Sequence, residues 1–141
     1  MTKKYKFVED LTSDVMFEAE GRDLKELLEQ SSMALFDVVC QREKVKPEDL
    51  IAVSVKAENP EKLLYEWLSQ LLTESDANEM FFSTFEIKVS KTDNEFVAEG
   101  KIWGEPYSQK KGGTVVKGIT LYGFKVEKTK KGYKARVACD I

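Results

Sequence analysis

Two aspartates from opposite ends of the chain are the residues best placed by type and spacing to do chemistry. Asp140 sits one residue before Ile141, at the end of Arg136-Val137-Ala138-Cys139-Asp140-Ile141. That stretch mixes β-branched and small residues and reads as a strand. Tied into a sheet, it would hold the Asp140 side chain and the carboxylate of the terminal Ile141 at a fixed place. Asp14 lies in Leu11-Thr12-Ser13-Asp14-Val15, where turn formers give way to an apolar run. Alone, such an aspartate caps a turn. Brought across a sheet to Asp140 and Ile141, it completes a site made of oxygens only. Such a site suits a hard divalent ion, with calcium, magnesium or manganese as the candidates. Three carboxylates without a cation would repel one another, so the arrangement calls for a metal or a neighbouring ammonium group. Lys117, a charge inside Val115-Val116-Lys117-Gly118-Ile119-Thr120, is the candidate ammonium; the plain alternative is a solvent-facing lysine on an alternating strand. Glu105, in Gly104-Glu105-Pro106, is either a functional acid or a loop acid, and the loop favours the second. Lys110 and Lys111, beside Gly112 and Gly113, could meet phosphate, although a solvated loop accounts for them as well.

Composition removes several classes of function. The chain has 141 residues and no histidine. That excludes histidine general acid–base catalysis, Ser–His and Cys–His nucleophile pairs, and every histidine metal site. The two cysteines, Cys40 and Cys139, are too few for a thiolate zinc site and read as reduced thiols of an intracellular protein. A net charge of −3 with no large basic block argues against non-specific nucleic-acid binding, so RNA is expected to meet this chain only through a partner. The start, Met1-Thr2-Lys3-Lys4-Tyr5, is not a signal peptide, and no apolar run is long enough to span a bilayer. The expectation is a cytoplasmic protein, not on a membrane. A metal-dependent hydrolase is disfavoured by the missing nucleophile–base pair.

The elements that must position these residues follow from periodicity. Tyr5 to Glu9 and Val15 to Glu20 alternate as strands, and Gly21 ends the second. Asp23 caps a helix, with Glu26 three residues on. Leu24, Leu27, Leu28, Leu35, Val38 and Val39 keep one face of it apolar to about residue 42. Leu50 to Ala57 reads as a strand. Asn59-Pro60 opens a second helix, as cap and first helical residue. Its stripe of Leu63, Leu64, Trp67, Leu68, Leu71 and Leu72 is core, and Ser75 to Asn78 ends it. The rest is β-rich. Phe81 to Val89 should place Ser83, Phe85, Ile87 and Val89 on one face and Phe82, Thr84, Glu86 and Lys88 on the other. Phe96 to Trp103 returns beside it, and Gly104-Glu105-Pro106 breaks that strand. Gln109 to Gly113 is a flexible basic loop. Thr114 to Glu127 is one long β run with a bend at Gly118 or Gly123, Lys128 to Gly132 is a turn, and Tyr133 to Ile141 closes the fold. The order β-β-α-β-α-β-β-β-β predicts a single α+β domain over 1–141, with two helices packed against largely antiparallel sheet.

On these residues the chain resembles archease, the small protein that assists the RtcB-type RNA ligase. The resemblance rests on Leu11 to Val15 against the family's early acidic motif and on Gly21 to Leu27 against the motif that follows it. It continues through Leu63 to Leu72 against the family's Leu- and Trp-rich helix, then Gly104-Glu105, Val116 to Tyr122, and Asp140-Ile141. It covers essentially the whole chain. It implies a cofactor-like activator that is not itself an enzyme. Such a protein promotes guanylylation and multiple turnover of the ligase in tRNA splicing and RNA repair. It also implies metal ligation by Asp14, Asp140 and Ile141, with Lys117 and Glu105 as functional residues. The family usually carries histidine where Leu11, Gly112 and Tyr122 stand, and an acid near Ser108; this chain carries none of them. The competing reading is a metal-independent, chaperone-like interaction module.

Overall fold

The computed structural model describes residues 2–9 and 14–141, so the Leu11-Thr12-Ser13 part of the acidic motif lies outside the described residues. The strands are β1 (Tyr5–Val8), β2 (Val15–Gly21), β3 (Asp49–Ala57), β4 (Met80–Lys91), β5 (Phe96–Pro106), β6 (Gly118–Thr129) and β7 (Gly132–Asp140). The helices are α1 (Leu24–Val39) and α2 (Pro60–Asn78). The order is the one the periodicity predicts. All strand pairs are antiparallel, in two sheets ordered β1-β2-β7-β6 and β3-β5-β4. Among the described residues, no helix is long and apolar enough to cross a membrane.

Both helices bridge the sheets: α1 packs on β2 and β4, and α2 on β3 and β6. Asp23 caps α1 by accepting the Glu26 N–H, and Asn59 caps α2 by accepting the Lys62 N–H. Because α1 is covered from two sides, its polar middle is buried with its leucines: Glu29, Gln30, Ser31 and Ser32 are all within the core. These groups are mostly paired, as burial requires. The Ile87 N–H donates to Glu29 Oε2 at 3.0 Å, and the Lys4 N–H to Gln30 Oε1 at 2.8 Å. Trp67 Nε1 donates to Ser32 Oγ at 2.9 Å, joining the two helices through the largest buried side chain.

Helix α2 ends at Asn78, the last residue of the expected Ser75–Asn78 stop, and is capped by Glu79, whose φ of 51° is left-handed. Several elements depart from their expected form, each for a local reason. In β4 the pairing skips Ser83, so Phe82 lies opposite Gly104 and Thr84 opposite Trp103. The bulge swings Phe82 into the core beside Phe36, off the polar face that strict alternation assigns it. Gly104 faces this bulge, where a Cβ would come 1.9 Å from the Phe81 carbonyl oxygen. It therefore accommodates the strand instead of breaking it, and β5 continues to Pro106. The 114–127 run is extended but joins the sheet only from Gly118, with its register shifting between Thr120 and Lys125.

A tight contact gives the first prediction. Gly100 of β5 lies under Trp67, where a Cβ would sit 2.6 Å from Cη2 of the fully buried indole. Gly100→Ala should overpack this site and destabilise the fold by about 1–3 kcal/mol in denaturant titration. A variant as stable as the parent would show that the Trp67 contact is loose.

Candidate functional site

Strand β7 is interior to its sheet, and its register assembles the site. Val15 pairs with Cys139, so one step further the same antiparallel register sets Asp14 against Asp140. On the other side of β7, Gly118 pairs with Asp140, and the Lys117 N–H donates to the Asp140 carbonyl oxygen at 2.7 Å. Asp14, Asp140, Ile141 and Lys117 thus meet at one end of the β2-β7-β6 sheet. Lys117 lies just before β6, exposed, and is not a charge within the strand. Asp14 is half-buried, Asp140 exposed, and Ile141 37% exposed.

Beneath this tip, Val137, Ala138 and Cys139 have no exposed surface, so β7 cannot drift. The Cys139 thiol is pushed up to about 12, first by burial and then by the negative charge of Asp14. It stays protonated at neutral pH and adds no negative charge to the tip. Among the described residues no three acidic, cysteine or histidine side chains cluster as a metal site would require. The oxygen donors that the expected site would draw on are the Asp14 and Asp140 side chains, with Ile141 next along the chain. Hard donors of this kind match a divalent cation of the calcium class.

Val115 is 80% exposed, Leu121 70% and Tyr122 72%, and each lies within a few residues of Lys117 along the chain. A groove of about 1140 Å³, with Val115 in its lining, opens between Tyr65 and Leu72 of α2 and the Gly112–Ile119 segment. Sequence reading does not single out this groove or these exposed side chains. The available signal was Val115, Leu121 and Tyr122 as large apolar residues close to Lys117.

Glu105 belongs to the other sheet, in β5 and not in a loop. Its carboxylate is occupied: Lys111 Nζ lies 2.5 Å from Oε1, and the Lys46 N–H donates to Oε2 at 2.6 Å. These two bonds hold the carboxyl below its usual range, Lys111 first. Lys110 and Lys111 fall in a short helical turn, Gln109–Lys111, that is strapped to the end of α1 and is not a loose loop. The Gln41 N–H donates to the Lys111 carbonyl at 2.7 Å, Gly113 N–H to Val39 at 3.0 Å and Thr114 N–H to Val38 at 2.8 Å. The strap fixes the start of the segment that carries Lys117.

Comparison with known proteins settles the family. The description of the archease protein family (MTH1598/TM1083) matches residues 5–141. The chain belongs to the archease family. It is 37% identical to protein archease of Archaeoglobus fulgidus over 139 residues, covering 98% of this chain and 99% of that one. It is 33% identical to protein archease of Sulfurisphaera tokodaii over 141 residues, covering 99% of each. The solution structure of Methanobacterium thermoautotrophicum protein 1598 superposes with a TM-score of 0.88 at 30% identity, covering 99% of this chain and 100% of that one. A crystal structure described as an archease and possible chaperone from Thermotoga maritima shares the fold, with a TM-score of 0.62 at 18% identity over 95% of each chain. Of the positions where the resemblance implies other residues, Tyr122 is exposed on β6, Ser108 and Gly112 line the groove, and Leu11 lies outside the described residues.

Glu105→Gln would weaken the strap without touching the core. Amide exchange at Gln41, Gly113 and Thr114 should quicken in this variant while the α2 amides keep their protection. Unchanged exchange at those three amides would show that the strap stands without the ion pair.

Proposed function

We propose that this chain is an accessory protein that activates an RtcB-type RNA ligase, using the Asp14–Asp140–Ile141 tip as its working end. What supports this reading is the β2–β7 register, whose last pair, Val15 with Cys139, is one step from Asp14 and Asp140, on a strand pinned from both sides. Family membership supports an archease role; the ligase, its guanylylation and tRNA splicing are the finer reading proposed here. The tip has the form of a plug. Its centre is anionic, Lys117 stands at its side, and the exposed Val115, Leu121 and Tyr122 lie within a few residues of Lys117 along the chain. Exposed apolar side chains next to polar groups are the usual material of a protein interface.

Asp14, Asp140 and the Ile141 carboxylate would hold a divalent cation. When bound, such an ion neutralises phosphate charge and aligns a leaving group in nucleotidyl chemistry. The residues of this chain then have distinct tasks. Asp14 and Asp140 present charge to the partner's nucleotide site, the Lys117–Asp140 backbone bond fixes the height of the tip, and the exposed Val115, Leu121 and Tyr122 supply apolar contact area. The chain is read as an activator and not as an enzyme, acting on RNA through the ligase inside the cell. The exposed apolar side chains also favour a second reading, a metal-independent, chaperone-like docking module.

Asp14→Ala and Asp140→Ala should each return a cognate ligase, assayed with excess RNA, GTP and manganese, from multiple turnover to about a single turnover per enzyme. Melting temperatures should stay within a few degrees of the parent, because neither side chain is in the core. Full stimulation by both variants would overturn the role of the tip. Stimulation lost in both, with no rise in the parent's melting temperature on adding calcium, manganese or magnesium, would select the metal-independent module.

A further inference from the structure

The opposite end of the same sheet carries a second charged feature, of the other sign. Strand β2 runs from Val15 at the acidic tip to Gly21, which places the two ends about 20 Å apart. Around Gly21 a pocket of about 550 Å³ is lined by Lys4, Arg22, Lys130, Lys131 and Lys134, with Glu20 as its one acid and Tyr133 in its wall. Lys130 and Lys131 form the turn between β6 and β7; both are exposed, and among the described residues neither meets a carboxylate. Lys134 lies 3.9 Å from Glu18, too far for a firm pair, and Glu18 is shared with Lys6 at 3.8 Å and Arg136 at 3.6 Å. Lys4 and Arg22 share Glu26, at 2.6 and 3.2 Å. Both shared acids are outnumbered by their cations. The region is therefore net positive on a chain whose formal charge is −3.

We infer that this basic pole, centred on Lys130, Lys131, Lys134, Arg22 and Lys4, binds the phosphate backbone of a nucleic acid. Separate ammonium groups on a turn suit a row of phosphates, each neutralised in turn with release of its counterions. A folded protein partner is less well matched. Among the described residues none of the large exposed apolar side chains lies in the pole, and the buried core of a protein interface is enriched in apolar and aromatic residues. Three of the pole's five cations come from the lysine-rich run Lys128 to Lys134, and the fold adds Lys4 and Arg22 from two other segments. It departs from the expectation that RNA meets this chain only through its partner. It is independent of the acidic tip.

Fluorescence anisotropy with labelled single-stranded RNA of about 20 nucleotides, and with DNA of the same sequence, tests this without any ligase. Binding should weaken steeply with salt, with a log–log slope near −3 if about four phosphates are neutralised. Lys130→Glu with Lys131→Glu should lower affinity about tenfold or more and flatten the slope, and the milder pair Lys130→Gln with Lys131→Gln should fall between. Lys56→Glu with Lys88→Glu, the same charge change on the other sheet, should leave binding unchanged. Equal binding of RNA and DNA supports a contact to phosphate alone, and tighter RNA binding supports one that also meets the ribose hydroxyl. The inference is overturned if neither nucleic acid binds at low salt, if both glutamate pairs weaken binding equally, or if polyglutamate competes as well as RNA, which would make the pole a site for acidic protein.

Discussion

Everything at the acidic end depends on β7 being held by a neighbour on each side. A strand has a side-chain period of two, so a slip of one residue would turn its buried face outward. Here the slip is blocked by Val137 and Cys139 packed into the core and by Ala138 buried beneath the irregular stretch of β6. The positions of Asp14, Asp140 and Lys117 are a by-product of that packing. No side-chain bond between them is needed to bring them together, because the strand register alone sets their backbones side by side.

The second constraint is the burial of α1 between the two sheets. A helix at the surface needs one apolar stripe, whereas a helix covered from both sides must satisfy its polar residues inside the protein. Glu29, Gln30 and Ser32 do this with the β4 backbone, the Lys4 backbone just before β1 and Trp67 respectively. Each bond ties a different element to the same helix. Tyr5, Asp37 and Arg42 add a further tie at the far end of α1, where the Tyr5 hydroxyl donates to Asp37 and Arg42 reaches the Ser83 carbonyl at 3.1 Å.

Most of the order was legible in the sequence because caps and hydrophobic periods act locally. Asn59-Pro60 and Asp23 mark helix starts whatever surrounds them. What alternation could not reveal was decided across strands. Phe82 is core only because β4 bulges opposite Gly104, and a bulge leaves no mark on one strand read alone. The apolar stripe of α1 does not mark its buried polar belt, because the helix's second cover comes from strands far along the chain. At the site, the two aspartates were legible as types, and the pairing that joins them followed from treating both as sheet ends. Glu105 was read as a loop acid because Gly and Pro flank it, yet it sits in a paired strand and holds Lys111.

The chain order of the first sheet has a consequence for how the protein comes into being. Its spatial order is β1-β2-β7-β6, so the strand made last lies inside a sheet whose other members are made earlier. A growing chain can form the β3-β5-β4 sheet and both helices while β2 and β6 still have an open slot between them. Until β7 enters that slot, two edges and the apolar faces beneath it are exposed, a state that invites pairing with other chains. The acidic end and the basic turn are both created by that one insertion. A nascent or truncated chain lacking β7 therefore carries neither feature, and both charged ends arrive together with the finished core.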